Sequence, residues 1–137
     1  MSEEIKVIIV EDDQQVREGL RQLISGSDGY NCVAACTSAE EALVQVALHQ
    51  PAVVLMDINL PGMNGIECVV CIKNAWPGIQ VMMLTVFDNT DEIFKSLTAG
   101  ATGYLLKKTP PSKLLEAITE LVNGGSPMSG ENARMVV

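Results

Sequence analysis

The chain has 137 residues, 47% of them hydrophobic, with 17 acidic and nine basic side chains and a net charge of -8. That length supplies one domain with a single buried core, and the negative field repels polyanions, which excludes a direct grip on nucleic acid by this segment. Apolar stretches all fall short of the roughly 20 residues a membrane-spanning helix needs, and no basic segment leads into an apolar run with a small-residue cleavage site, so a cytoplasmic protein with no membrane partner is expected.

Lys6 to Val10 is a short β-branched run, and Val16, Leu20, Leu23 and Ile24 follow at helical spacing, so the chain opens as strand then helix. Cys32 to Cys36 reads as a second strand. Ser38 with Glu41 three residues on has the form of a capping box, and Ala42, Leu43, Val46 and Ala47 predict an amphipathic helix stopping before Pro51. Ala52 to Met56 is a third strand, fully apolar. Ile66, Val69 and Val70 mark a helix ending near Trp76-Pro77-Gly78, and Ile79 to Leu84 a fourth strand. Asp91 to Ala99 reads as a short helix and Gly103 to Leu106 as a fifth strand. Leu114, Leu115, Ile118, Leu121 and Val122 line a final helix that stops at Asn123-Gly124-Gly125. Five strand-helix units imply an α/β fold, a five-stranded parallel sheet with helices on both faces. Residues 1–125 form the domain, and 126–137 read as the start of an interdomain linker or C-terminal tail.

In a parallel sheet the strand C-termini share one edge, where ligands bind. Strand one runs into Glu11-Asp12-Asp13, strand three into Asp57, strand four into Thr85 and strand five into Lys107-Lys108, so acids, a hydroxyl and an amine are expected in one pocket. Carboxylates about 4 Å apart repel by roughly 4 kcal/mol at an effective dielectric of 20, so such a cluster calls for a cation. Mg2+ suits it, because that ion takes six oxygens, keeps several waters and is held by one or two carboxylates with phosphate oxygens.

Five segments in order carry a family resemblance: Val10-Glu11-Asp12, Leu55-Met56-Asp57, Leu60-Pro61-Gly62-Met63-Asn64-Gly65, Met83-Leu84-Thr85 and Gly103-Tyr104-Leu105-Leu106-Lys107. Over residues 5–125 the chain resembles the receiver domain of two-component response regulators, with its (βα)5 flavodoxin-like fold. The resemblance implies that Asp57 accepts a phosphoryl group from a sensor histidine kinase or a small phosphodonor, with Mg2+ held by Glu11, Asp12, Asp57 and the backbone carbonyl of Asn59. It implies that Lys107 pairs with Asp57 and then with the phosphoryl oxygens, that Thr85 hydrogen-bonds the phosphoryl group, and that Tyr104 is a switch aromatic turning inward. The output is then a remodelled face of helix four, strand five and helix five, a candidate homodimer surface to which Ile93, Phe94 and Leu97 would belong.

Val16-Arg17-Glu18-Gly19-Leu20, Leu97-Thr98-Ala99-Gly100-Ala101 and Glu131-Asn132-Ala133-Arg134 are similar to the LuxR/NarL-type subgroup, whose receivers regulate transcription through a helix-turn-helix domain. DNA contact would then run only through a C-terminal domain outside this chain; a stand-alone receiver acting by protein-protein interaction is the alternative. Glu11 stands where an aspartate is more usual. Lys108 follows Lys107 in place of a proline, which leaves either a trans peptide or a strained loop. Val86 is bulkier than the usual small residue, and Phe87, unable to orient water, implies slow autodephosphorylation.

Competing readings are weaker. A haloacid dehalogenase-type phosphatase wants a second acid two residues beyond its nucleophile; Asn59 stands there, so a non-enzymatic switch is expected. A flavodoxin-like cofactor module needs a Ser/Thr/Gly-rich loop after strand one, where the acids lie instead. Cys32, Cys36, Cys68 and Cys71 have metal-like spacing but sit in strand and helix contexts, and read as reduced core thiols. His49 reads as a helix C-terminal contact and Met56, Met63, Met82 and Met83 as packing.

Overall fold

The computed structural model describes residues 4–86 and 90–128. Strands β1 (Ile5–Val10), β2 (Tyr30–Cys36), β3 (Val53–Asp57), β4 (Gln80–Thr85) and β5 (Gly103–Leu106) alternate with helices α1 (Gln14–Ser25), α2 (Ala39–His49), α3 (Gly65–Ala75), α4 (Thr90–Ala99) and α5 (Pro111–Val122). Every pairing is parallel and the order is β2-β1-β3-β4-β5. This is the expected doubly wound sheet, with its direction of winding reversing between β1 and β3.

Burial on both faces explains the apolar strands, because alternate residues feed two separate cores. Ile8, Val10, Val54, Met56, Val81, Met83 and Tyr104 face one side and pack with Ala42 and Val46 of α2, Val69 and Ile72 of α3 and Ile93 of α4. Val7, Ile9, Val53, Leu55, Met82, Leu84 and Leu105 face the other and meet Ile24 of α1 and Leu114, Ile118 and Leu121 of α5. The register of β1 against β2 shifts between Val7 and Ile8, so β2 carries one extra residue at Val33.

Helix starts are fixed by side chains. Asp13, Ser38 and Asn64 cap α1, α2 and α3 by accepting from the backbone N–H three residues on. Only half of the box expected at Ser38 forms: Glu41 turns instead to the Thr37 hydroxyl and N–H. The reciprocal box is at α3, where Asn64 N–H donates to Glu67 Oε1 at 3.0 Å and Glu67 N–H to Asn64 Oδ1 at 2.9 Å.

Residues 126–128 lie alongside β5 and act as a strap. Ser126 Oγ donates to Thr102 O at 2.5 Å, Tyr104 N–H donates to Pro127 O at 3.0 Å, and Met128 pairs parallel with Tyr104 while packing on the core. Gly103 makes room for the strap, since a Cβ there would stand 3.2 Å from Pro127 Cγ and 3.0 Å from Met82 Cγ.

Candidate phosphoacceptor and metal site

The reversal between β1 and β3 opens a crevice at the strand C-termini, and the chain fills it with charge. Asp57, the last residue of β3, is 5% exposed, and Glu11, the first residue beyond β1, is 2% exposed. Ligand oxygens of Glu11, Asp12 and Asp57 lie within 4.8 Å of one another, and Asp12 is open to solvent. Asp13 stands apart from this cluster, because its carboxylate is spent on the α1 cap, accepting from Val16 N–H at 3.1 Å.

Lys107 enters from the end of β5, and its backbone N–H donates to Thr85 O at 2.7 Å, which ties the ends of β4 and β5 together. Its ammonium lies 2.5 Å from Glu11 Oε1 and 3.5 Å from Asp57 Oδ1. The expected pairing with Asp57 is therefore the longer of two, and Glu11 is the tighter partner. Asn59 N–H donates to Asp57 Oδ1 at 3.3 Å and Asp13 N–H to Glu11 Oε2 at 3.1 Å. Arg17 on α1 donates to the backbone carbonyls of Glu11 and Asp12, at 3.0 and 3.3 Å, and fixes the course of the acidic loop.

The loop after β3 is held as closely. Gly65 N–H donates to Ile58 O at 2.9 Å, and a Cβ on Gly65 would stand 2.1 Å from the carbonyl oxygen of Asp57. Gly62 takes a φ of 74°, a turn conformation disfavoured for other residues. Next to it Glu40 of α2 reaches across to accept from Met63 N–H at 3.2 Å. Sequence reading named neither Arg17 nor Glu40 as a support of the site, since a cation or acid on an exposed helix face carries no mark of the backbone it reaches.

Burial, then the Glu11 charge, pushes the Asp57 carboxyl up to about 6 against the pull of Lys107 and the Asn59 N–H. The Lys107 ammonium is held above its usual value: burial lowers it, but the Glu11 hydrogen bond and the charges of Asp57 and Glu11 outweigh that. The donor set fits Mg2+, because buried carboxylates with incomplete neutralisation face an open side through Asp12 by which waters complete six oxygens. Glu11, Asp12, Asp57 and the Asn59 carbonyl are the residues that would hold it.

The remaining expected residues differ in burial. Thr85 is 1% exposed at the end of β4. Tyr104 is fully buried, in the core that also holds Ile93 of α4 and on which Met128 of the strap packs. The Lys107–Lys108 peptide is trans, which decides between the two geometries the sequence left open. Val86 is exposed, and Phe87 lies outside the described residues. Of the three apolar residues offered for a dimer face, Ile93 is core and Leu97 packs on it, so only Phe94 presents substantial surface. All four cysteines are free; burial pushes the Cys36 and Cys68 thiols up to about 12, so they are inert small hydrophobes at neutral pH. His49 ends α2, half-buried.

A parallel sheet wound in this order, with a buried aspartate between an acidic pair and a lysine, defines a class of phosphoacceptor switch. The family model described as response regulator receiver domain matches residues 7–119, and the chain belongs to that family. It is 33% identical over 122 residues to the transcriptional regulatory protein DegU of Brevibacillus brevis, covering 89% of this chain and 52% of that one. With the transcriptional regulatory protein LnrK of Bacillus subtilis it shares 36% identity over 121 residues, 88% of this chain and 55% of the relative. A solved two-component response regulator of the LuxR family from Aurantimonas superposes with a TM-score of 0.91 at 32% identity, covering 97% of this chain and 95% of that one. The chain thus spans little more than half the length of these curated relatives. Receiver domains are signalling switches of two-component systems, and among the described residues no helix is long and apolar enough to cross a membrane.

Proposed function

We propose that Asp57 is the phosphoacceptor of this receiver, taking its phosphoryl group in the cytoplasm from a sensor histidine kinase. The observation that supports this most is a nearly buried carboxylate within 4.8 Å of two further acids and 3.5 Å from an ammonium. Phosphoryl transfer is accelerated mainly by positioning and by charge neutralisation on the equatorial oxygens.

Ionised Asp57 supplies an oxygen to phosphorus as the bond from phosphorus to the donor imidazole nitrogen, or to the acetyl oxygen of acetyl phosphate, breaks. Bound Mg2+ supplies positive charge to the transferring group. Lys107 then neutralises phosphoryl oxygens, and Thr85, at the neighbouring strand end, donates its hydroxyl to one of them. Tyr104 and the α4–β5–α5 face carry the change outward, where a second copy docks, and a helix-turn-helix domain attached beyond residue 137 turns it into altered transcription. The chain itself is a switch and not a turnover enzyme, since Asn59 occupies the place where a phosphatase would need an acid.

Intact mass after incubation with acetyl phosphate is the test. One phosphoryl adduct requiring both Mg2+ and Asp57, absent from Asp57→Asn, is expected. An adduct that survives Asp57→Asn, or none at all with beryllofluoride also failing to bind, would refute the assignment.

A further inference from the structure

Residues 11 and 12 are gripped through their backbone. Glu11 N–H donates to Cys36 O at 2.9 Å, which ties the acidic loop to the end of β2. From the other side Arg17 Nη1 donates to two successive carbonyls, Glu11 O at 3.0 Å and Asp12 O at 3.3 Å. Arg17 lies in the first turn of α1, and its own N–H donates to the carbonyl of the N-cap Asp13 at 2.9 Å. One side chain thus bridges the helix to both acids that precede its cap. Among the described residues the Arg17 guanidinium forms no ion pair, close as it is to the acidic loop.

We propose that Arg17 is a positioning residue for the metal ligands, holding Glu11 and Asp12 where their carboxylates converge with that of Asp57. The inference rests on the Asp57 reading above. Three carboxylates with oxygens within 4.8 Å of one another repel, and Asp12, exposed at the rim, is the one with room to swing outward. A charged donor makes a stronger hydrogen bond than a neutral one, and two such bonds on consecutive peptides fix the chain between them. Because the guanidinium spends its donors on carbonyls, it restrains the loop without occupying a carboxylate oxygen that a cation would need. Arg17 therefore carries two opposed influences: its charge disfavours a cation nearby, and its hydrogen bonds favour one by preorganising the ligands. The hydrogen bonds prevail, since they bear on the ligands directly while the guanidinium stands beyond ion-pair distance of the three acids.

Mg2+ titration by calorimetry separates the two influences, because they have opposite signs. Arg17→Met removes the charge and the hydrogen bonds together, and Mg2+ affinity is expected to fall by about tenfold or more, as when other partners that orient metal ligands are lost. Unchanged or tighter binding would overturn the positioning role while leaving the metal site intact. Arg21→Met removes an equal charge one turn along α1, where Arg21 pairs with Glu18 at the surface, and should stay within about twofold of the unaltered chain. A loss there as large as in Arg17→Met would trace the effect to α1 as a whole and overturn the role. Labelling of Asp57 from acetyl phosphate gives a second readout: in Arg17→Met the Mg2+ concentration for half-maximal rate should rise by the calorimetric factor, with the maximal rate kept within about twofold. A reduced maximal rate at unchanged half-saturation would also overturn it. Failure of the unaltered chain and of every variant to bind Mg2+ would overturn the metal reading and this role with it. Melting curves taken before each titration confirm folding, and Arg17→Gln replaces Arg17→Met should the thioether variant fail to fold.

Discussion

At the scale of single residues the site sets stability against chemistry. The Asp57 carboxyl rises from its usual 3.8 to about 6 in the folded chain, chiefly through burial and the Glu11 charge. The folded state therefore binds this proton more tightly than the unfolded one, and the stability it contributes is complete below about pH 4 and lost as pH rises through about 6. Asp57→Asn, which carries no charge, should stabilise the metal-free protein at pH 8 by about 2 kcal/mol, about 7 °C in melting temperature, and by almost nothing at pH 4. Mg2+ should raise the melting temperature of the unaltered chain at pH 8 and leave Asp57→Asn unmoved. A destabilised Asp57→Asn at pH 8 would show that burial is not the dominant influence on this carboxyl. Gly65 allows a test of opposite character. Helix propensity alone favours Gly65→Ala by up to about 1 kcal/mol, yet its methyl would fall 2.1 Å from the Asp57 carbonyl oxygen. Chemical denaturation should show a loss of about 2–3 kcal/mol, the cost of overpacking, with Mg2+ affinity falling in step.

At the scale of elements, caps and faces carry the predictions. Asn64→Ala removes the side-chain half of the box that starts α3, leaving the residue 64 N–H free to donate to Glu67, and should cost about 1 kcal/mol in urea unfolding, as should Ser38→Ala, which loses the equivalent bond. Ile118→Ala opens the core between α5 and the sheet and should cost about 2–5 kcal/mol. Order and type of the elements were legible because two-sided burial writes apolar strands and helical stripes directly into the chain, and bounds moved by only a few residues. The capping box at Asn64 hid inside a loop read for its Pro and Gly, and the one at Ser38 failed because Thr37 competes for Glu41. The extra residue in β2 has no local signature either, since Val33 resembles its neighbours. In the site, the strand-end residues Glu11, Asp57, Thr85 and Lys107 could be named from topology. Which acid holds the lysine depends on side-chain reach, and which helix residues brace the loops depends on tertiary approach; neither is written in spacing.

For the molecule as a whole, the sheet gathers the charged groups at one edge, and the proposed output face is built on β5. Tyr104 belongs both to the core beneath α4 and to the strand that the strap covers, so its side chain and its backbone report to different partners. Phe94, 46% exposed, is the α4 side chain that a second copy docked on this face, as proposed above, would bury. Phe94→Ser should leave unfolding free energy within about 0.5 kcal/mol of the unaltered chain, while lowering self-association of the beryllofluoride-bound form in sedimentation velocity.

The Tyr104 amide proton is bonded to Pro127 O, on the side of β5 where residues 126–128 lie. Its exchange with solvent deuterium therefore times the lifting of residues 126–128, independently of global unfolding. An amide in the middle of β3 exchanges only when the whole domain opens; that of Tyr104 should exchange faster and should speed up further when Pro127→Gly loosens the segment. Set beside a buried aromatic ring, this one proton offers a clock for whether modification at Asp57 reaches residues 126–128.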